Sequence, residues 1–177
     1  MRKMDRLYAT LALLAVGSGM CAMSTPAWAA KASTTTAADR QFVIDAALGD
    51  MAEVKLGRLA DKHSHTPAVR AFAERMIHDH GQNLDKVKTL AKTLGVTLPK
   101  ETSSELNGVA EQLEKLKGKA FDRAYLDSMI ADHTKDVDDF RKETKEAHAP
   151  KVKAFARETL PVLEEHLRMA KSARGKV

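Results

Sequence analysis

From residue 38 onward apolar residues return every three or four positions in long runs, the pattern of helices that bury one stripe. Phe42, Ile44, Leu48, Met51, Leu56 and Leu59 mark the first run, over about 38–63. "HSHTPAV" interrupts it, and there Thr66 is expected as the N-cap and Pro67 as the first residue of a second helix. That helix reaches about residue 94, where Gly95 suits the left-handed backbone of a helix C-terminus. Pro99 and Gly118 bound a polar link in which "TSSE" opens a short helix, roughly 103–116. A third long run covers about 119–146, with Phe121, Leu126, Met129, Val137 and Phe140 on its apolar face. The fourth starts at Pro150 and continues to about 172, with Pro161 expected to bend it.

No segment carries a convincing strand pattern, so the chain reads as all-α. Short links after the first and third helices predict two antiparallel hairpins. The 24-residue link between them is far longer than a tight turn needs. That spacing points to a ferritin-like four-helix bundle over 38–172, with a long crossover carrying the short helix. A plain up-down-up-down bundle is the alternative.

The stretch "ERMIHDHGQNL" holds two histidines, His78 and His80, which point about 200° apart on a helix. His78 has Glu74, Arg75, Gln82 and Asp85 as helical neighbours and belongs to a solvated face. His80 stands among Ala73, Met76, Ile77, Leu84 and Val87 and must point inward. The same test selects His133, His166 and, on the first helix, Glu53, which is flanked by small residues including Gly49 and Gly57. His63, His65 and His148 fall at helix ends or loops and are expected in solvent. Counted from the hairpin links near 65 and 148, Glu53 and His80, and likewise His133 and His166, differ in height by only about 4–5 Å. Four inward polar side chains at one level need one another or a ligand, because an unpartnered buried polar group costs about 1–3 kcal/mol. One glutamate and three histidines form a donor set for a single zinc or copper ion. Met76, Met129 and Met169 lie about one turn from the histidines and are weaker candidates. Thioethers would suit Cu(I), but methionine is also a common core filler.

"FVIDAALGDMAEVKLGRLA", "AVRAFAERMIHDH", "LPKETSSE", "FDRAYLDSMIADH" and "LPVLEEHLRMA" carry a resemblance. Over about 40–171 the chain resembles the bacterial family catalogued as domain of unknown function forty-one forty-two. The resemblance implies a ferritin-like fold and a label of predicted outer membrane protein, with no assigned activity. The ten-residue alternating strands of an outer-membrane barrel are absent from the sequence. The Glu-x-x-His motifs of ferritin-like di-iron sites are missing too: Ile77, Ile130 and Leu163 stand three residues before the histidines. Di-iron oxidase chemistry is therefore not expected.

Ahead of the helices, Arg2, Lys3 and Arg6 precede the apolar "LYATLALLAVGSGMCAM", and "PAWAA" supplies an A-x-A signature. These features predict a secretory signal peptide over 1–29 and a periplasmic destination. Met20 before Cys21 argues against a lipoprotein signal. A flexible lead-in, 30–37, would follow, and a frayed basic tail, 173–177, would close the chain. Without residues 1–29 the basic count falls from 29 to 26 and the acidic count from 24 to 23, leaving a formal charge of +3. The only cysteine leaves with the signal, so no disulfide is expected. No later apolar run is long enough to span a bilayer. Lys and Arg are interleaved with Asp and Glu, as in "EQLEKLKGK", which describes solvated faces and not a nucleic-acid stripe. There is no nucleophile–base constellation and no Gly-rich phosphate loop. Two readings stand at this point: an envelope bundle that holds a metal ion, or a structural or stress-protective bundle whose Glu/His cluster is a buried hydrogen-bond network.

Overall fold

Helix α1 (Ala37–His63) begins where Thr36 and Asp39 close a capping box. The Thr36 N–H donates to Asp39 Oδ2 at 2.8 Å, and the Asp39 N–H donates to Thr36 Oγ1 at 3.1 Å. The other oxygen of buried Asp39 accepts from the backbone N–H of His148 and of Ala149, at 3.0 and 3.3 Å. One carboxylate thus caps α1 and holds the turn ahead of the last helix. Burial pushes the Asp39 carboxyl upward, but these hydrogen bonds outweigh it and hold the group below its ordinary value.

The computed structural model describes residues 34–177, apart from the side chains at 105 and 106. The signal peptide expected at 1–29, and 30–33 of the expected lead-in, lie outside the described residues. After α1 come α2 (Pro67–Leu94), α3 (Ser104–Glu114), α4 (Gly118–Glu146) and α5 (Pro150–Arg174). The described residues contain no strand, and no helix among them is long and apolar enough to cross a membrane.

Helix α2 starts at Pro67 as expected, but Thr66 does not cap it with its side chain. Its hydroxyl instead donates to Asp122 Oδ2 at 2.6 Å, tying the start of α2 to the start of α4. Gly95 ends α2 with φ 64°, the left-handed conformation in which a side chain would be strained. Helix α3 packs on both α1 and α4 as the chain crosses between the two hairpins. The tail expected to fray is docked. Helix α5 continues to Arg174, which pairs with Asp127, and the Val177 carbonyl accepts two bonds from Arg123.

Helix directions follow from matched contacts. Thr66 meets Asp122, Phe72 packs on Tyr125 and His80 meets His133, so α2 and α4 run the same way. Phe42 against Phe140 and His63 against Phe121 make α1 antiparallel to α4, and Phe140 against Phe155 with Asp127 against Arg174 does the same for α5. The buried apolar residues form two clusters. One holds Phe72, Met76, Phe121, Tyr125, Leu126 and Met129. The other holds Val43, Val87, Val137, Phe140, Val152 and Phe155. Between the two lies a polar layer.

Candidate metal centre

Each long helix delivers the polar layer from its apolar stripe. Residues three, four or seven apart keep the same face, so a polar side chain in that stripe is carried inward with its neighbours. Glu53 and His133 are fully buried, His166 is 1% exposed and His80 is 4% exposed. The three imidazoles surround one point. Their ring centroids are 5.4 Å apart for His80–His133, 5.2 Å for His80–His166 and 5.4 Å for His133–His166. One nitrogen from each lies within 4.8 Å of the other two.

The outer hydrogen bonds decide what the inner nitrogens present. His133 Nδ1 lies 3.0 Å from the Met129 carbonyl, which can only accept, so Nδ1 carries the hydrogen and Nε2 a lone pair. His166 Nε2 donates to Asp79 Oδ2 at 2.8 Å, leaving Nδ1 buried without a hydrogen-bond partner. His80 Nδ1 lies 2.8 Å from Asp50 Oδ1, while Asn83 donates to both Asp50 oxygens, at 3.1 and 2.9 Å. With Asp50 ionised, His80 Nε2 also presents a lone pair, 3.3 Å from His133 Nε2. Carboxylates and a carbonyl behind ligand histidines are the usual outer partners of metal-bound imidazole, fixing both tautomer and ring orientation.

Burial favours neutral groups here. It lowers His80 to about 4 and His166 to about 4, against the nearby charge of Asp79. Burial, then the adjacent His80 and His166, lowers His133 to about 3. Burial also raises Asp50 well above the carboxylate range, against the bonds from Asn83. A proton gained by the Asp50–His80 pair has a defined place. Asp50 would donate to His80 Nδ1, and His80 Nε2–H to His133 Nε2 across the 3.3 Å contact. The centre therefore accommodates either that proton or a cation, and a cation would favour the ionised carboxylates.

Asp79 is the counterpart of Asp50 on the other side. Burial acts upward on it, but bonds from His78, His166 and Arg75 hold it down to about 2. His78 is exposed as expected, though its Nδ1 meets Asp79 Oδ1 at 2.8 Å. His65 and His148 are exposed as well, whereas His63 is half-buried with its ring stacked on Phe121.

Glu53 shares the layer but not the nitrogen meeting point. Its Oε1 is 3.6 Å from His133 Nδ1, the nitrogen that does not face His80. Neither of its oxygens has an N–H or hydroxyl donor; burial, then the charge of Asp132 and a side-chain hydrogen bond with it, then the charges of Asp136 and Asp50, push the group well up. Met76 and Met129 are buried in the apolar cluster that includes Phe72, and Met169 packs against it. All three thus lie on one side of the layer, and Met129 contributes a backbone carbonyl to His133. Asp50, Asp79 and Asn83 join the layer without being singled out by the sequence pattern. Asp50 stands three residues before Glu53, on the same face, and Asp79 is the centre of "HDH", so both carry a readable signal.

Fold and centre together define an all-helical protein with a buried histidine layer across its middle. The family model described as Domain of unknown function (DUF4142) matches residues 24–173, and the chain belongs to this family. No curated protein matches it in sequence. Among solved structures, the crystal structure of a DUF305 fragment from Deinococcus radiodurans is similar, with a TM-score of 0.72 at 17% identity. The similarity spans 81% of this chain and 99% of that one, and at that identity it speaks to the fold alone.

Proposed function

We propose that this protein is a ferritin-like bundle of the bacterial cell envelope that holds one zinc or copper ion on His80, His133 and His166. The ferritin-like assignment rests on α2 and α4 running in the same direction with α3 in the crossover. Export rests on the basic, apolar and A-x-A regions of residues 1–29.

The observation that carries the metal reading is the convergence of three inner nitrogens whose outer partners are already assigned. Metal–nitrogen bonds of about 2.0–2.1 Å in a tetrahedral site place ligand nitrogens about 3.3–3.4 Å apart. The His80–His133 separation of 3.3 Å already meets that spacing. A self-sufficient hydrogen-bond network would leave no orphan at its centre, yet His166 Nδ1 has no partner. A cation on the histidines would favour the ionised form of Glu53, which lies behind His133 outside the ligand set. The all-imidazole donor set suits zinc or Cu(II), with a fourth position left to solvent.

Untagged protein, stripped with chelator and titrated with Zn(II) or Cu(II), should take up one ion per chain by calorimetry and metal analysis. At about a hundredfold excess over Kd, the ion should stabilise the fold by about 2.7 kcal/mol. His133→Ala, checked by circular dichroism for retained helix, should lose that uptake. Wild-type protein that takes up neither ion leaves the layer as a structural network.

A further inference from the structure

The histidine layer is reached by two clefts, one along each seam between the α1/α2 and α4/α5 hairpins. The first, about 570 Å³, lies between α1 and α4 and has His80, Asp50 and Asn83 among its lining residues. The second, about 270 Å³, lies between α2 and α5 and reaches His80, His166 and Asp79. Their charges differ. The α1/α4 cleft is lined by Asp45, Asp50, Asp132, Asp136, Asp139 and Glu143, against two lysines. Of those, Lys135 pairs with Asp139 at 2.7 Å, and Lys142 lies 3.9 Å from Glu146, outside the lining. The inner acids are thus in excess. In the α2/α5 cleft Arg75 and Lys86 match Asp79 and Glu158, and Arg75 is itself bound to Asp79.

Resting on the metal reading above, we propose that the α1/α4 cleft is the entrance by which a transition-metal cation reaches the histidines, drawn in by its carboxylates. Glu53 is the independent sign of this role. It is fully buried with no N–H or hydroxyl donor at either oxygen, and its hydrogen-bonding neighbour is Asp132, a carboxylate of the cleft lining. Asp45, Asp132, Asp136 and Asp50, none of them ion-paired with Lys or Arg among the described residues, line the way to His80, and an arriving cation favours the ionised form of those that burial holds protonated. Clefts lined by one sign of charge concentrate counter-ions and accelerate their arrival by about tenfold or more. The matched charges of the second cleft offer a cation no such gradient.

The test compares uptake kinetics of Zn(II), delivered from a fluorescent chelator in a stopped-flow mixer at low salt. The variant Asp45→Asn/Asp136→Asn/Glu143→Gln neutralises one cleft, and Lys86→Gln/Glu158→Gln neutralises the other. The first should slow association about tenfold, flatten its dependence on salt and leave dissociation within about twofold. The second should leave association within about twofold of wild type. Unchanged association in the first variant, a loss confined to dissociation, or slowing in the second variant would each overturn the entrance. These outcomes concern the variants and leave equilibrium binding by the wild-type protein in place, so they remove the entrance alone. A wild-type protein that binds no zinc or copper at equilibrium removes the metal site and its entrance together.

Discussion

His80→Ala and His78→Ala remove the same side-chain type two residues apart, yet their effects on stability should differ widely. Removing His80 leaves Asp50 and His133 without their buried partner, a loss of about 1–3 kcal/mol. His78 is 65% exposed, and changes on such a face usually stay within about 0.5 kcal/mol. Urea midpoints of both variants, measured in chelator, are expected to differ accordingly; equal midpoints would mean that the layer holds nothing together. The inward direction of His80 is legible because Met76, Ile77, Leu84 and Val87 surround it along the helix. The partner of Asp79 is not, because His166 comes from a helix 87 positions away.

The hairpin α1/α2 packs closely at one glycine. A Cβ on Gly57 would stand 2.9 Å from Ile77 Cγ1 and 3.1 Å from the Ala73 carbonyl oxygen. At Gly49 and Gly81 a Cβ would meet nothing within 4 Å. Helix propensity alone favours alanine over glycine by about 1 kcal/mol. Gly49→Ala and Gly81→Ala should therefore raise the thermal midpoint, while Gly57→Ala should lower it, since overpacking costs about 1–3 kcal/mol. A raised midpoint in Gly57→Ala would show that the helices can separate freely. The sequence marks both Gly49 and Gly57 as small positions on the Glu53 stripe, but only the packed helices distinguish them. Thr66 is a similar case. Its place as an N-cap is readable, but Asp122 on another helix takes its hydroxyl.

For the whole molecule, the buried layer sets how stability follows pH. An unfolded histidine near its ordinary 6.5 takes up a proton that His80, His133 and His166 refuse in the native state until about 4, 3 and 4. Taken alone, these three make stability fall as pH drops below 6.5. Asp50, Glu53 and Asp136 act the other way. Burial raises the first two well above their ordinary 3.8 and 4.5, and Asp136 to about 7, so native carboxyls keep protons that unfolded ones have lost. Taken alone, these make stability fall as pH rises. Between about 4.5 and 6.5, three groups oppose three, and the metal-free protein should show a plateau of stability. Above it the retained carboxyl protons dominate and stability declines until those groups ionise. Below it the histidines dominate, joined by Asp79, whose bonds are lost as pH falls from 3.8 toward about 2. Urea midpoints from pH 3.5 to 9 test this, and a steady rise from pH 5 to 8 would contradict it. Added zinc should lift the alkaline side most, because it replaces protons at the centre.

Helix spans and the inward face of each helix were settled by the chain, because periodicity and caps are local properties, whereas the long link only favoured a crossover over a plain up-down-up-down bundle. Pro67, Gly95 and Pro150 mark helix ends wherever the helices later pack, and about 1.5 Å per residue brings Glu53 level with His80, and His133 level with His166, to within about 4–5 Å. The nitrogen each ring turns inward was a tertiary decision. It follows from Asp50, the Met129 carbonyl and Asp79, of which only Met129 lies on the same helix as the histidine it holds. Glu53 shows the same division. Its burial follows from its stripe, but its position beside His133 Nδ1 depends on how α1 and α4 meet. A side chain's face is fixed by its own helix, whereas its partner depends on where another helix stands.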